Sequence, residues 1–296
     1  MPFVTIDGVK LEYAWYEPSG STAAARPSPY PLPQAGEGPG GAGPRAFSRL
    51  REKAEDEGLS ARTTPDIVLL HEGLGSLSMW RDFPQRVADA TKARVLVYSR
   101  RGYGQSDKLP GPRGVDYMHG EAQDVLPKLL RALEVESPLL VGHSDGASIA
   151  IIHAGSGNAV AGLVLMAPHV FVEDLTVDSI AAIKEVWKTS DMGQRLGRYH
   201  RDAEHTFWGW NDIWLLPAFK QWNIEDFVPR ITAPMLVIQG IDDEYGTPAQ
   251  CDAIRAHAKA PCELLLLEAC KHSPHRDQPQ RTLEAIARFH AGLRSS

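Results

Sequence analysis

Cysteine is scarce in this sequence, which has three in 296 residues: Cys251, Cys262 and Cys270. An odd number without metal-ligand spacing argues against a disulfide framework and favours reduced thiols. Positive charge is not in excess either, because 31 Lys and Arg stand against 37 Asp and Glu, a net charge of −6. We therefore expect no nucleic-acid partner and infer a small-molecule substrate, or a peptide.

Long apolar runs are also missing. None approaches the roughly 18 residues that a membrane-spanning helix needs, and Met1-Pro2-Phe3 leads into a strand pattern rather than a signal peptide. We expect a cytoplasmic protein with no membrane partner. The scattered His and Cys residues make no metal-ligand set, so we expect no metal and no cofactor. The oligomeric state stays open.

Regular alternation of strand and helix patterns dominates what is present. Phe3–Ile6 and Val9–Tyr16 flank Asp7-Gly8, which predicts a β-hairpin. From Asp66 onwards, apolar strands alternate with helices, which predicts an α/β fold with a mostly parallel, doubly wound sheet. We assign residues 1–170 and 231–296 to this core. Active sites in such sheets lie beyond the carboxyl ends of the strands.

Two stretches interrupt the alternation. Residues 18–64 begin rich in Pro, Gly, Ser and Ala, and we predict a disordered surface insertion. Residues 171–230 have helical signals, including a helix over Met192–Thr206, but no clear strand, and we predict a helical lid. Five of the seven tryptophans fall in this lid. Some should bind an apolar or aromatic substrate, and the candidates are Trp208, Trp210 and Trp214.

The nucleophile candidate is Ser144. The strand Leu139-Leu140-Val141 runs directly into Gly142-His143-Ser144-Asp145-Gly146, and a buried helix pattern follows. A G-x-S-x-G sequence between strand and helix is typical of a nucleophile elbow, which lifts a serine hydroxyl clear of the backbone. The N–H of Asp145, at the start of the helix, is a candidate oxyanion donor because the helix dipole adds to it.

Candidate acids and bases follow two later strands. Asp242-Asp243-Glu244 comes after the strand ending at Gly240, and Cys270-Lys271-His272 comes after the last strand. The order serine, acid, histidine is the one used by α/β-hydrolases. Other assignments stay open: Asp242, Glu173 or Asp174 for the acid, and His275 for the base.

Apart from residues 18–64, nearly the whole chain resembles the α/β-hydrolase-fold superfamily. The motifs HEGLGS, SRRGYGQSD, GHSDG, GIDDEYG and KHSPHRDQP occur in the order that this fold requires. The resemblance implies that Asp243 is the acid and His272 the base. It also implies that the loop after His71 supplies the second oxyanion donor, from Gly73 or Leu74. Glu72 stands where the family usually has glycine.

The function implied is that of a carboxylesterase-like serine hydrolase. A Ser-His-Asp triad would cleave an ester or related acyl bond of a small substrate through an acyl-enzyme. Two alternatives stay open. One is a carbon–carbon bond hydrolase of aromatic ring-cleavage products, which an aromatic lid suits. The other is a non-hydrolytic small-ligand receptor on the same fold, since fold does not set function.

Overall fold

The computed structural model describes residues 2–20 and 65–293. These residues carry one sheet of eight strands in the order β1-β2-β4-β3-β5-β6-β7-β8. The hairpin β1–β2 is antiparallel and pairs antiparallel with β4, while the other strands are parallel. The predicted fold class is confirmed. The strands are β1 Phe3–Ile6, β2 Val9–Tyr16, β3 Ile67–Leu70, β4 Val95–Tyr98, β5 Leu139–His143, β6 Gly162–Met166, β7 Met235–Gly240 and β8 Cys262–Leu267.

The N-terminal hairpin forms where the sequence predicts it. Ile6 pairs with Val9 across the turn, and both turn residues have positive φ, 49° at Asp7 and 81° at Gly8. Asp-Gly suits this geometry because glycine carries no Cβ and aspartate tolerates the left-handed region. The insertion predicted after this hairpin lies outside the described residues from position 21 to 64.

The helices connect the parallel strands. A π-helical turn, Glu121–Val125, joins the α-helices Tyr117–Gly120 and Leu126–Ala132. The 3₁₀ helices are Leu77–Trp80, Pro217–Gln221 and Glu225–Arg230. The α-helices are α1 Phe83–Thr91, α2 Tyr117–Gly120, α3 Leu126–Ala132, α4 Asp145–Gly155, α5 Asp174–Thr189, α6 Met192–Leu196, α7 Ala203–Trp214, α8 Pro248–His257, α9 Pro274–Asp277 and α10 Pro279–Gly292.

Both faces of the sheet are buried, which explains why its central strands have continuous apolar runs rather than alternation. Within β3, Val68 and Leu70 belong to the core on one face, and Ile67 and Leu69 belong to the core on the other. All four are at most 1% exposed. The central strands are therefore packed on both faces, which fixes the positions of the residues at their carboxyl ends.

The segment between β6 and β7 is helical, but the predicted helix over Met192–Thr206 is wrong. Helix α6 ends at Leu196 and α7 starts at Ala203, because the Asp202 carboxylate caps a new helix by accepting from the His205 N–H at 3.0 Å. The connecting residues are fixed by tertiary contacts that local propensity does not reveal. The Gly104 N–H donates to His200 Nδ1 at 2.9 Å.

Cys251, Cys262 and Cys270 are all free thiols. Within residues 2–20 and 65–293, no helix has both the length and the apolar character needed to cross a membrane.

Candidate active site

Ser144 lies in a strained turn between β5 and α4. Its φ of 55° and ψ of −118° place a non-glycine residue in a sparsely populated region, which is a feature of functional sites. The turn requires its two flanking glycines. A Cβ on Gly142 would lie 2.4 Å from the Gly146 carbonyl oxygen, and one on Gly146 would lie 2.0 Å from the Leu70 carbonyl oxygen. The glycines let strand and helix pass closely enough to project the serine.

Asp243 and His272 form a direct pair. His272 Nδ1 lies 2.9 Å from each carboxylate oxygen of Asp243. Because a carboxylate only accepts, Nδ1 carries the proton and Nε2 is left with its lone pair. The carboxylate also accepts from the Tyr245 N–H and the Gln239 side-chain amide, each at 2.8 Å.

These contacts determine the charge of Asp243. Burial raises the pKa of Asp243, but the hydrogen bond and charge of His272 and the Tyr245 N–H outweigh burial and lower that pKa to about 2. Asp243 is therefore an ionised carboxylate at neutral pH. It can fix the tautomer of His272 and stabilise its protonated form.

The alternative acids lie elsewhere. Asp242 is exposed. Glu173 uses both carboxylate oxygens on Thr247, accepting from its hydroxyl at 2.5 Å and its N–H at 3.0 Å. Asp174 forms an ion pair with Lys220 at 2.7 Å. Asp243 is the candidate that the structure brings to His272.

Two further histidines lie near His272: the His143 ring packs against it, and the His275 ring packs against His143. His143 donates from Nε2 to the His272 carbonyl oxygen at 2.7 Å, so the residue before Ser144 fixes the loop that carries His272. His275 is 5% exposed, and its ring packs against Trp80 and Phe83. Within the described residues, neither ring nitrogen of His275 has a hydrogen-bond partner. Burial first, then the nearby His143, holds its pKa well below the usual value.

Arg100 anchors the loop that contains Gly73 and Leu74. Its side chain donates to the carbonyl oxygens of His71 and Glu72, the latter at 3.0 Å, and its backbone N–H donates to His71 Nε2 at 3.2 Å. Arg100 is 3% exposed. The buried guanidinium therefore anchors the start of the loop that carries the Gly73 and Leu74 N–H groups.

Glu72, at the position where the family usually has glycine, links this loop to the rest of the site. Its carboxylate lies 3.5 Å from His143 Nδ1 and 3.5 Å from Arg276. Burial opposes ionisation, but His143 and Arg276 together hold the pKa of Glu72 well below its usual value. The carboxylate therefore lies between the loop of Gly73 and Leu74 and the elements that carry His143 and Arg276.

The side chain of Asp145 is held away from solvent. It is 1% exposed, accepts from the Tyr117 hydroxyl at 2.7 Å and lies 3.8 Å from the Arg100 guanidinium. These contacts fix the first turn of α4. The Asp145 N–H at that turn remains a predicted oxyanion donor.

One cavity of about 120 Å³ is lined by the predicted site residues other than Asp243 and Trp208. Gly73, Leu74, Ser144, Asp145 and His272 line it on the side of the strand ends. The opposite wall comes mainly from the helical segment and includes Thr176, Ile180, Trp210 and Trp214.

Trp208 does not line this cavity. It contributes to a larger one, about 790 Å³, between residues 111–113 and α7, which contains none of the predicted catalytic residues.

Sequence reasoning missed His169, which lines the same cavity as Ser144 and is 2% exposed. Its ring centroid lies 5.7 Å from that of His272. Burial, followed by the charge of His272, lowers the pKa of His169 to about 3, so its imidazole is neutral at ordinary pH. Its place just after β6 was a usable signal. In the part of the chain that the structure describes, no three His, Cys, Asp or Glu side chains are grouped to hold a metal.

The family model described as the alpha/beta hydrolase family matches residues 67–285. This match spans more than half of the sequence, and the chain belongs to that family. Membership supports a hydrolase activity. A comparison with curated proteins finds no match.

Solved structures share the fold at low identity. The enol-lactonase from Burkholderia xenovorans LB400 has a TM-score of 0.65 and 16% identity, covering 98% of this chain and 100% of that one. A thermophilic esterase from Thermogutta terrifontis has a TM-score of 0.66 and 17% identity, covering 99% of this chain and 100% of that one. The proline iminopeptidase of Mycobacterium smegmatis has a TM-score of 0.69 and 16% identity, covering 99% of this chain and 98% of that one. At such identity the likeness shows the fold alone.

Proposed function

We propose that this protein is a serine hydrolase that cleaves an ester or related acyl bond of a small substrate. The observation that carries the proposal is the Asp243–His272 pair, whose histidine lines the same cavity as a serine in a strained strand-to-helix turn. Activation of a serine hydroxyl requires three things: a turn that exposes the hydroxyl, a base that accepts its proton, and a group that orients the base.

In the proposed mechanism, His272 Nε2 accepts the proton of Ser144 as the hydroxyl attacks the substrate carbonyl. Asp243 holds the Nδ1–H and stabilises the imidazolium that forms. The same imidazolium then protonates the leaving group, which leaves an acyl-enzyme on Ser144. Water, activated by His272, attacks the acyl carbonyl and releases the acid.

The negative charge of each tetrahedral intermediate needs donors that are already in place. We assign this role to the N–H groups of Asp145 and of Gly73, with Leu74 next. Arg100 supports the assignment because it holds the loop of Gly73 from behind through two carbonyl oxygens. The N-terminus of α4 adds its dipole at Asp145.

The helical segment 171–230 acts as a lid in this proposal. Ile180, Trp210 and Trp214 form its wall over the nucleophile. Excluding water from the site strengthens the electrostatic interactions that stabilise the intermediate. Of the tryptophans predicted to bind substrate, we retain Trp210 and Trp214 in that role.

Turnover of p-nitrophenyl butyrate tests the proposal. The wild-type protein should hydrolyse it continuously, and Ser144→Ala and His272→Ala should each lower kcat by about 10⁶. Ser156→Ala is the matched control, because Ser156 is exposed at the end of α4 and should leave kcat unchanged. Turnover that persists in Ser144→Ala, or cleavage only of a vinylogous diketone, would contradict an acyl-enzyme esterase.

A further inference from the structure

A closed turn carries two of the candidate oxyanion donors. The Gly75 N–H donates to the Glu72 carbonyl oxygen at 3.1 Å, which makes Gly73 and Leu74 the central residues of a four-residue turn, the 72–75 turn. The N–H groups of these two residues take no part in the closing hydrogen bond. Contacts that hold the turn therefore affect where both N–H groups lie.

Two buried side chains hold the 72–75 turn at two of its carbonyl groups. Arg100 donates to the Glu72 carbonyl oxygen at 3.0 Å, at the first residue of the turn. His200, which is 3% exposed, contacts the Leu74 carbonyl oxygen through Nε2 at 3.1 Å, at the third residue. Arg100 follows β4 in the core, whereas His200 belongs to the helical segment 171–230. The turn is therefore held from the core and from the proposed lid.

The tautomer of His200 follows from its second contact. The Gly104 N–H donates to His200 Nδ1 at 2.9 Å, so Nδ1 carries no proton. Nε2 must then carry the proton that the Leu74 carbonyl oxygen accepts. Burial lowers the pKa of His200, which favours this neutral form. Both ring nitrogens are therefore used, each on the backbone of a different loop.

The attachment of His200 to the loop of Gly104 is reinforced by its neighbours. The Arg201 N–H donates to the Gly104 carbonyl oxygen at 2.8 Å. The Tyr103 ring lies edge-on to the His200 ring, with the centroids 6.3 Å apart. The helical segment is therefore fastened to the loop of Gly104 at two consecutive residues, and His200 extends this attachment to the 72–75 turn.

We propose that His200 is a positioning residue that holds the 72–75 turn through the Leu74 carbonyl group and so links the oxyanion donors to the lid. This inference rests on the proposed hydrolase function. His200 is not one of the described residues that line the cavity beside Ser144, so it acts through the turn. Oxyanion donors bind charge that develops in the transition state, so losing the contact lowers kcat and leaves KM nearly unchanged.

Two amide side chains test the inference with p-nitrophenyl butyrate as substrate. Glutamine carries an amide N–H at about the position of His200 Nε2 and can still donate to the Leu74 carbonyl oxygen, whereas asparagine reaches only the position of Nδ1. His200→Asn should lower kcat by about tenfold, as expected for one lost hydrogen bond, and change KM by less than about twofold. His200→Gln should keep kcat within about twofold of the wild-type value. Titration of active sites with a fluorophosphonate corrects each kcat for inactive protein.

His153→Asn is the matched control. His153 is also a buried histidine and contacts the Ala122 carbonyl oxygen through Nδ1 at 2.8 Å, but it lies near the end of α4 that is remote from Ser144. Its replacement should leave kcat unchanged. His200→Met replaces His200→Asn if that variant does not fold, because methionine is as long as glutamine but has no N–H, and it should show the same tenfold loss.

The outcomes separate this inference from the proposed function. An unchanged kcat in the variant that lacks the donor, an equal loss in His200→Gln, or a change confined to KM would each overturn the role of His200, while turnover by the wild-type protein would still support the hydrolase. Absence of turnover by the wild-type protein would refute the proposed function and this inference with it.

Discussion

Replacing Gly146 with alanine tests how closely the turn that carries Ser144 is packed. The added Cβ would meet three backbone atoms: the carbonyl oxygen and carbon of Leu70 at 2.0 and 2.5 Å, and the carbonyl oxygen of His71 at 2.9 Å. None of these is the end of a flexible side chain, so either α4 or the chain after β3 must shift. Overpacking of this kind costs about 1–3 kcal/mol of unfolding free energy.

The substitution should lower activity as well as stability, because the displaced atoms lead directly into the loop of Gly73. A misplacement of about 1 Å can cost about 10² in rate. We expect kcat/KM for p-nitrophenyl butyrate to fall by about that factor, and the midpoint of urea denaturation to fall as well.

Gly120→Ala is the matched control. Gly120 is also helical, but a Cβ there would meet nothing within 4 Å. The control should be neutral or more stable by up to about 1 kcal/mol, because alanine is the better helix former. If Gly146→Ala matched it in both stability and kcat/KM, the close approach would not be needed and the reasoning would be refuted.

Three further perturbations follow from the site. Asp243→Asn should lower kcat by about 10⁴ while circular dichroism stays native, since the amide cannot stabilise the imidazolium; unchanged kcat would remove Asp243 from the triad. Arg100→Met should lower kcat/KM by about 10² by releasing the carbonyl oxygens of His71 and Glu72, and equal activity would show that the loop needs no anchor. Burial, then His272, lowers the folded pKa of His169 to about 3, whereas the unfolded value is about 6.5. The unfolded chain therefore binds the proton first, and stability is lost as pH falls from about 6.5 towards 3, by up to about 1.4 kcal/mol per pH unit; His169→Gln should flatten that slope in urea titrations, and an unchanged slope would contradict the buried neutral imidazole.

The sheet could be predicted from sequence because its determinants are local. Continuous apolar runs identify the buried parallel strands, and the glycines around Ser144 identify a turn where no Cβ fits. The order of the motifs then placed Asp243 and His272 at carboxyl strand ends, where the structure pairs them.

Other features depend on tertiary contacts. The break between α6 and α7 follows from the Asp202 cap and from contacts with the Gly104 loop, which lie outside any local window. Helical periodicity separates the tryptophans: Trp210 and Trp214 lie four residues apart on one face of α7, and Trp208 faces the other cavity. Composition alone does not distinguish the tryptophans that line the Ser144 cavity from those that do not.

Covalent labelling with an active-site fluorophosphonate tests the central claim most directly. Intact-mass and peptide analysis should show one adduct per wild-type chain, located on Ser144, with labelling slowed by orders of magnitude in His272→Ala and absent in Ser144→Ala. An adduct at another residue, or labelling of Ser144 at an equal rate without His272, would contradict a serine activated by the Asp243–His272 pair.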